Sequence, residues 1–555
     1  MTNPARSQIY DMANVDLPKR ITTVDDVTWD AAFDVVVVGF GGAGVAAAIE
    51  ARDKGLTVAA VDRFEGGGAT ATSGSVFYCG GGTPLQQKLG VTDTPTNMFN
   101  YLREEVQGVV ADETLKRFCD QSVENYHWAE ANGVRFGGAA YTEKTTYPPH
   151  GFGLYFSGNE LVEARKAVAT SAQRGHVAQG ISRFSAFGPA FYAPLKKAAL
   201  KKGVELVGQS RAQRLVQDET GAIVGVEVQQ VAGPWARLQH RLYNRICVKA
   251  HMYYAPLADN LRKRIKQIEA AAEPKLLRAQ KGVVLSAGGF IFNRDMVAEY
   301  APTFKRALRL GTTGDDGSGI ALGDSAGGAL DRMDHCSAWR FINPPANFPK
   351  AILVNRQGER YVDETMYGAS IGEPMFKQHD GQAILIMDSP CFEEAKTQVS
   401  SKTARPVTIL QTRMSFKFAV TAPTLEALAT KIKMDAVTLS KTVDAYNEMA
   451  AGEAADPFGK AQKNMLPISE GPFYAVDMSV GRGGVTPCIT LGGLKVDEAT
   501  GQVLDEAGQG VPGLYAAGRT AIGVASNIYV SGLSIADCVF SGRRAGAAIA
   551  ESNKD

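Results

Sequence analysis

The first strong pattern is an unbroken apolar run, Val35 to Val38, in "FDVVVVGFGGAGVAAAIEARDKGLTVAAVDR". A strand with one wet face alternates apolar and polar positions, so a continuous run predicts a strand buried on both faces. "AGVAAAIEARDKG" is alanine-rich and closes on Gly55, which predicts a helix with a glycine stop. "LTVAAVD" follows as a second buried strand tipped by Asp62. Gly39, Gly41 and Gly44 supply G-x-G-x-x-G between the first strand and the helix. Together these predict a nucleotide site in a Rossmann-like α/β domain. The pyrophosphate would rest on backbone N–H groups at the helix N-terminus, and the acid would hold ribose hydroxyls.

"KGVVLSAGGF" (281–290) and "GVPGLYAAGRT" (510–520) read as two more apolar strands ending in small residues. "GVELVGQSRAQRLVQDETGAIVGVEV" predicts a β-meander turning at E-T-G-A. Residues 85–200 read as helical segments alternating with loops. Among them Phe118, Val123, Tyr126 and Trp128 crowd to one side as core. Near 339 the composition shifts to "NPPANFPKAILVNRQGERYVDETMYGASIG", followed by helices. This predicts an inserted α+β cap domain at 339–474, within a nucleotide-binding domain formed by 1–338 and 475–555. Catalytic groups are expected where the two meet.

Residues 231–275 carry a different pattern. Trp235, Leu238, Leu242 and Ile246 fall at helical spacing, as do Tyr253, Leu257, Leu261, Ile265 and Ile268. Arg237, Arg241, Arg245, Lys249, Arg262, Lys263, Arg264 and Lys266 lie between them. Two basic amphipathic helices of this kind predict either an anchor in the membrane surface or a hairpin packed on its own protein or a second subunit.

The length of 555 residues supports two domains. A net charge of +1 argues against a nucleic-acid binder. The seven cysteines are scattered without a C-x-x-C pair, which predicts no metal site or disulfide framework and fits a reducing compartment. The start, "MTNPARSQIYDMANVDLPKR", has no apolar h-region. The expectation is a cytoplasmic protein, with residues 231–275 offering contact to the inner face of the membrane.

After Asp62 a second glycine-rich loop, "RFEGGGATATSGSVFYCGGG", could wrap the far side of a dinucleotide. With the strands ending near Gly288 and Gly518, this resembles the FAD-binding half of the fumarate reductase and succinate dehydrogenase flavoprotein superfamily, a GR2-type fold. The resemblance implies FAD held by Gly39, Gly41, Gly42, Ala43 and Gly44, then by Asp62 and Arg63. It adds Gly68, Ala69, Thr70, Ser73 and Gly74 of the second loop, and the backbone of Ala212 at the adenine. Gly288, Gly518, Arg519, Ser534 and Ile535 complete the set. Membrane-bound members attach FAD through a histidine in the loop equivalent to "GGATATSGS"; none stands here, so the flavin is expected to be non-covalent. No second G-x-G-x-x-G follows, so electrons would leave to an unidentified acceptor.

Near the end the chain reads "GVASNIYVSGLSIADCVFSGRRAG" (523–546). The superfamily's substrate arginine falls on Tyr529, no histidine follows His379, and no arginine lies between Arg519 and Arg543. That argues against fumarate or succinate. Tyr-Val-Ser-Gly here, with "GERYVDETMYGASIG" in the cap, resembles the 3-ketosteroid Δ4-(5α)-dehydrogenases, and the Tyr-Pro-Gly-Pro-Gly run of the Δ1-dehydrogenases is missing. The resemblance implies catalytic Tyr367, Tyr529 and Ser531, with Gly532 and Tyr155 lining the substrate. A hydride would pass from C5 to the flavin and a proton from C4 to Tyr367 and Ser531. Tyr529 and an N–H near Gly532 would polarise the C3 carbonyl, although the two tyrosines could exchange roles. The base would need a phenol lowered from about 10. A Δ1-dehydrogenase, a steroid reductase and a flavin redox carrier are the alternatives. Residues 231–275 have no counterpart in these relatives.

Overall fold

The computed structural model describes residues 6–180, 188–251, 254–400, 406–482 and 485–552. Strand β1 (Ala31–Val38) uses its apolar run as the pattern demands. Val35 and Val37 point into one core, whereas Val36 and Val38 point into another on the opposite face of the sheet. Each valine buried in this way stabilises the fold by roughly 1.5–3 kcal/mol. Helix α1 (Gly42–Asp53) leads to β2 (Val58–Asp62), which pairs parallel to β1. β3 (Glu205–Gly208) adds to β2, also parallel. β4 (Ser210–Gln217) and β5 (Ile223–Gln230) form the expected meander.

Two helices follow, α2 (Pro234–Ala250) and α3 (Ala255–Glu269), then the long strand β6 (Glu273–Leu285). The first half of β6 pairs with β5; its last residues pair parallel with β7 (Gly510–Ala516), and its other edge holds β1. The result is a parallel β7-β6-β1-β2-β3 sheet with the meander hooked onto it. Helix α4 (Leu533–Glu551) closes the fold and lies along α1. A Cβ on Gly542 would strike the carbonyl of Ala43, and one on Gly546 would come within 2.5 Å of the carbonyl of Ala47, so the two helices touch backbone to backbone.

Within the predicted cap, an antiparallel sheet runs in the order Ile352–Val354, Ile384–Met387, Phe473–Asp477, Val420–Ala422. Its period-2 alternation is visible: Leu353, Leu385 and Val476 join the main core, whereas Ile352, Val354 and Ile386 pack under the helices carrying Leu428, Leu439 and Tyr446. The last long strand of this sheet extends past residue 474.

Residues 85–200 hold more than helices and loops. Short strands Ala139–Tyr141, Phe152–Tyr155 and Gly175–Val177 join Val76–Tyr78 in a four-stranded sheet. At three or four residues each they carry no readable period. The helical reading of 112–131 holds, with Phe118, Tyr126 and Trp128 buried.

The two basic helices form; the apolar stripe of α2 is bare, whereas that of α3 is covered at its centre and exposed at Leu257. Leu261 and Ile265 of α3 are buried against the protein. Trp235, Leu238 and Leu242 of α2 are 68%, 51% and 50% exposed. Tyr253 lies outside the described residues. Among those residues, no helix is long and apolar enough to cross a membrane.

Candidate active site

The parallel strands β1, β2, β6 and β7 all deliver their C-terminal ends to one cavity of about 620 Å³. That is where an open α/β sheet presents a ligand site. Gly39, Gly41, Gly42, Ala43, Asp62, Arg63, Gly68, Ala69, Thr70 and Ser73 line it, as do Ala212, Gly288, Gly518, Arg519, Ser534 and Ile535. Gly39 has φ +94°, and a Cβ there would lie 2.6 Å from the backbone of Ala287. A Cβ on Gly41 would meet protein no nearer than 3.8 Å, so the room above the α1 N-terminus belongs to the cavity. Asn244 Oδ1 and Arg519 Nη1 are buried in the wall without a hydrogen-bond partner among the described residues. Such orphaned atoms cost about 1–3 kcal/mol each, and a polar ligand in the cavity would relieve them. The glycine cradle, the helix N-terminus and these atoms fit a dinucleotide.

Four expected cofactor residues act differently from the reading. Gly44 is off the cavity lining, because its place is under the carbonyl of Gly39, where any Cβ would collide. Gly74 is off it too; its carbonyl accepts the Tyr147 hydroxyl at 2.8 Å. Asp62 lines the cavity, yet its carboxylate already accepts backbone N–H groups of Phe40 (3.0 Å), Phe64 (2.8 Å) and Gly66 (2.9 Å). It orders the loop after β2 before it meets any ribose. The Arg63 guanidinium is engaged with Glu269 at 2.7 and 2.8 Å and with Asp316 at 2.7 Å.

At the far end, Gly532 caps α4 at φ +89°, seated so closely on strand Val76–Tyr78 that a Cβ would lie 2.8 Å from the Tyr78 nitrogen. This seat brings the expected trio together. The Tyr155 hydroxyl donates to Ser531 Oγ at 3.0 Å, and the Ser531 amide donates to the Ser157 carbonyl at 3.0 Å. The Gly532 N–H points at Tyr529 Oη, 3.3 Å away. Tyr367 precedes helix Gly368–Lys377, and its amide donates to Asn159 Oδ1 at 2.6 Å. Its ring stands edge-on to Phe341 at 5.5 Å, while Tyr529 lies 4.6 Å from Trp339. With Leu310, Ile489, Leu491 and Ile528 these rings make a small apolar cluster. Leu310, Trp339, Ile489 and Tyr529 also line the cavity, so this cluster forms part of its wall.

The phenols do not have lowered pKa values. Burial pushes Tyr367, Tyr155 and Tyr529 up, and neighbouring phenols raise the first two further. Hydrogen bonds to Ser531 pull all three back only in part. The expected lowered phenol is therefore corrected: an apolar chamber disfavours a phenolate. Tyr155, placed in the reading as a substrate wall, is bonded directly to Ser531. Trp339 and Phe341 were missed, although "SAWRF" sets two aromatics at the i, i+2 spacing that shares one face of an extended segment.

The model of the family described as FAD binding domain matches residues 34–532. The chain belongs to that family. A 3-oxo-5-alpha-steroid 4-dehydrogenase of Comamonas testosteroni is 37% identical to this flavoprotein over 514 residues, covering 90% of it and 94% of the relative. The solved structure of 3-ketosteroid-delta4-(5alpha)-dehydrogenase from Rhodococcus jostii RHA1, in complex with 4-androstene-3,17-dione, is 32% identical with a TM-score of 0.79, covering 96% of this flavoprotein and all of that chain. A fumarate reductase (cytochrome) of Shewanella frigidimarina is 25% identical over 535 residues, covering 94% of the flavoprotein and 77% of the relative. FAD is thus the cofactor of this flavoprotein, and its sheet and glycine turn are those of a GR2-type fold.

Proposed function

We propose that this FAD-dependent oxidoreductase forms the C4–C5 double bond of 5α-3-ketosteroids. The observation that carries the reading is the Tyr529 hydroxyl, held beside Ser531 by the Gly532 N–H that donates to its oxygen, in an apolar cluster that forms part of the wall of the cofactor cavity. With its oxygen accepting from Gly532, the Tyr529 phenol offers its O–H to a carbonyl oxygen that gains charge as its α-carbon is deprotonated. Bound FAD supplies the acceptor for the hydride leaving C5. Tyr529, its oxygen held by the Gly532 N–H, donates to the C3 oxygen. Tyr367 and Ser531 take the C4 proton. Burial keeps most of Tyr367 protonated, and its phenolate, favoured by the hydrogen bond to Ser531, is the form that accepts the C4 proton. Ser531 in turn accepts the Tyr155 hydroxyl. Residues 339–474 act in this reading as the cap that carries Tyr367 over the site.

The test is an anaerobic titration. A saturated 5α-3-ketosteroid should bleach the flavin stoichiometrically and appear as the 4-ene product. Bleaching with a C1–C2 alkene product would move the assignment to Δ1-dehydrogenation. No bleaching by any ketosteroid in a panel would favour a redox carrier.

A second proposal concerns place. The exposed Trp235, Leu238, Leu242 and Ile246 of α2, with exposed Lys263, Arg264 and Lys266 on α3, support docking of this hairpin on an anionic membrane surface. An apolar substrate dissolved in lipid would then be near its enzyme. Trp235→Ser with Leu242→Ser should lower co-sedimentation with vesicles containing phosphatidylglycerol by about tenfold or more. Unchanged pelleting would reject the docking face.

A further inference from the structure

The hairpin has an inner side that neither proposal uses. Asn244, Arg245, Val248 and Lys249 of α2 line the same cavity as Gly41, Asp62 and Ala212. The hairpin is tied there through the residues that directly follow Asp62. Arg63 takes Glu269, at the end of α3, in a two-pronged ion pair of 2.7 and 2.8 Å. Burial opposes the charge on Glu269, but Arg63 and His240 outweigh it and hold its carboxyl at about 2. The His240 ring stacks on Phe64 at 5.2 Å, and its Nε2 lies 3.2 Å from Glu269. Arg241 pairs with Glu65 at 2.5 Å. One short loop is thus held by both helices.

The charges decide what the clamp would hold. Five cations line the cavity: Arg63, Arg211, Arg245, Lys249 and Arg519. Arg63 is occupied by Glu269 and Asp316, Arg211 by the carbonyls of Ala13 and Asn14, and Arg519 by Asp315. Arg245 and Lys249, one helical turn apart, have no such partner among the described residues. Beside them Asn244 presents its buried, unpaired Oδ1. Two free cations at a dinucleotide cavity match a phosphate-bearing ligand half rather than an isoalloxazine ring, and the orphaned Asn244 Oδ1 can accept a ribose hydroxyl or adenine amino hydrogen of that half.

We infer that α2–α3 is a cofactor clamp: Arg245 and Lys249 provide charge to the diphosphate of FAD, and Asn244 hydrogen-bonds its ADP half. The inference rests on FAD as the cofactor and not on the steroid assignment. It separates the two sides of α2, one facing the nucleotide and one facing outward.

The experiment uses the deflavinated full-length protein and follows flavin fluorescence with no steroid present. Arg245→Ala with Lys249→Ala should raise the Kd for FAD about 10- to 100-fold and flatten its salt dependence. Riboflavin, which lacks the ADP half, should bind wild type and variant equally. Both side chains are exposed, so the fold should survive, as circular dichroism would verify. Equal FAD affinity and equal salt dependence would overturn the clamp. A parallel loss of riboflavin binding would overturn it as well, because the damage would then be general. Failure here leaves the steroid titration intact, and failure of that titration leaves this readout intact.

Discussion

Tyr529→Phe should yield a yellow, folded protein whose kcat for a saturated 3-ketosteroid is lower by about 10²–10³-fold. The phenylalanine ring keeps the 4.6 Å contact with Trp339, so the chamber retains its shape. What disappears is the hydroxyl that donates to the carbonyl oxygen and accepts the Gly532 N–H. Because the lost interaction strengthens as charge develops, kcat should fall far more than steroid affinity. The pH profile separates the two tyrosines. Burial raises Tyr367, so its proton-accepting form accumulates only as pH climbs, and the wild-type rate should increase through the alkaline range. That rise should survive Tyr529→Phe and vanish in Tyr367→Phe. The opposite pattern would exchange their roles, and full activity in both would remove the mechanism.

Gly41→Val should fold normally and purify colourless. Gly41 has φ −89°, open to any residue, and its Cβ would touch no protein atom within 3.8 Å. The added methyls would therefore stand where the α1 N-terminus receives phosphate. A loss in FAD affinity of at least about 100-fold, some 2.8 kcal/mol, is expected with thermal stability of the apoprotein retained. Gly39→Val gives the contrast. At φ +94°, with Ala287 backbone 2.6 Å from the new Cβ, it should destabilise the apoprotein itself by wedging β1 from β6. Apoproteins of equal stability would refute the division of labour between these glycines. Absorbance of the bound flavin and calorimetric melting read the two effects separately.

The nucleotide half was legible because its signals are short-range. Val35–Val38, the glycine turn and Asp62 sit within 28 residues and each has a local cause. Tyr367, Tyr529 and Ser531 were singled out through resemblance, and the structure places Tyr367 and Tyr529 in one cluster beside Ser531. What escaped depends on chain segments far apart. Tyr155 meets Ser531 across 376 positions, and Arg63 meets Glu269 across 206. The helices α2 and α3 carry the same amphipathic spacing, yet α3 buries Leu261 and Ile265 while the stripe of α2 is bare. Periodicity says that a helix has an apolar side but not which neighbour lies over it. The phenol pKa direction escaped for the same reason, since it follows from the rings gathered around each hydroxyl.

The contact of Gly542 and Gly546 with the carbonyls of α1 has a mechanical meaning. In the proposed function the N-terminus of α1 is one jaw, for the diphosphate, and the mouth of α4 is the other, for the steroid oxygen. Their spacing is gauged by two missing side chains, well along α4 from either ligand. Hydride transfer tolerates little slack in distance, so in the proposed reaction its alignment would be set partly by these two glycines, which leave α4 no side chain to hold it off α1.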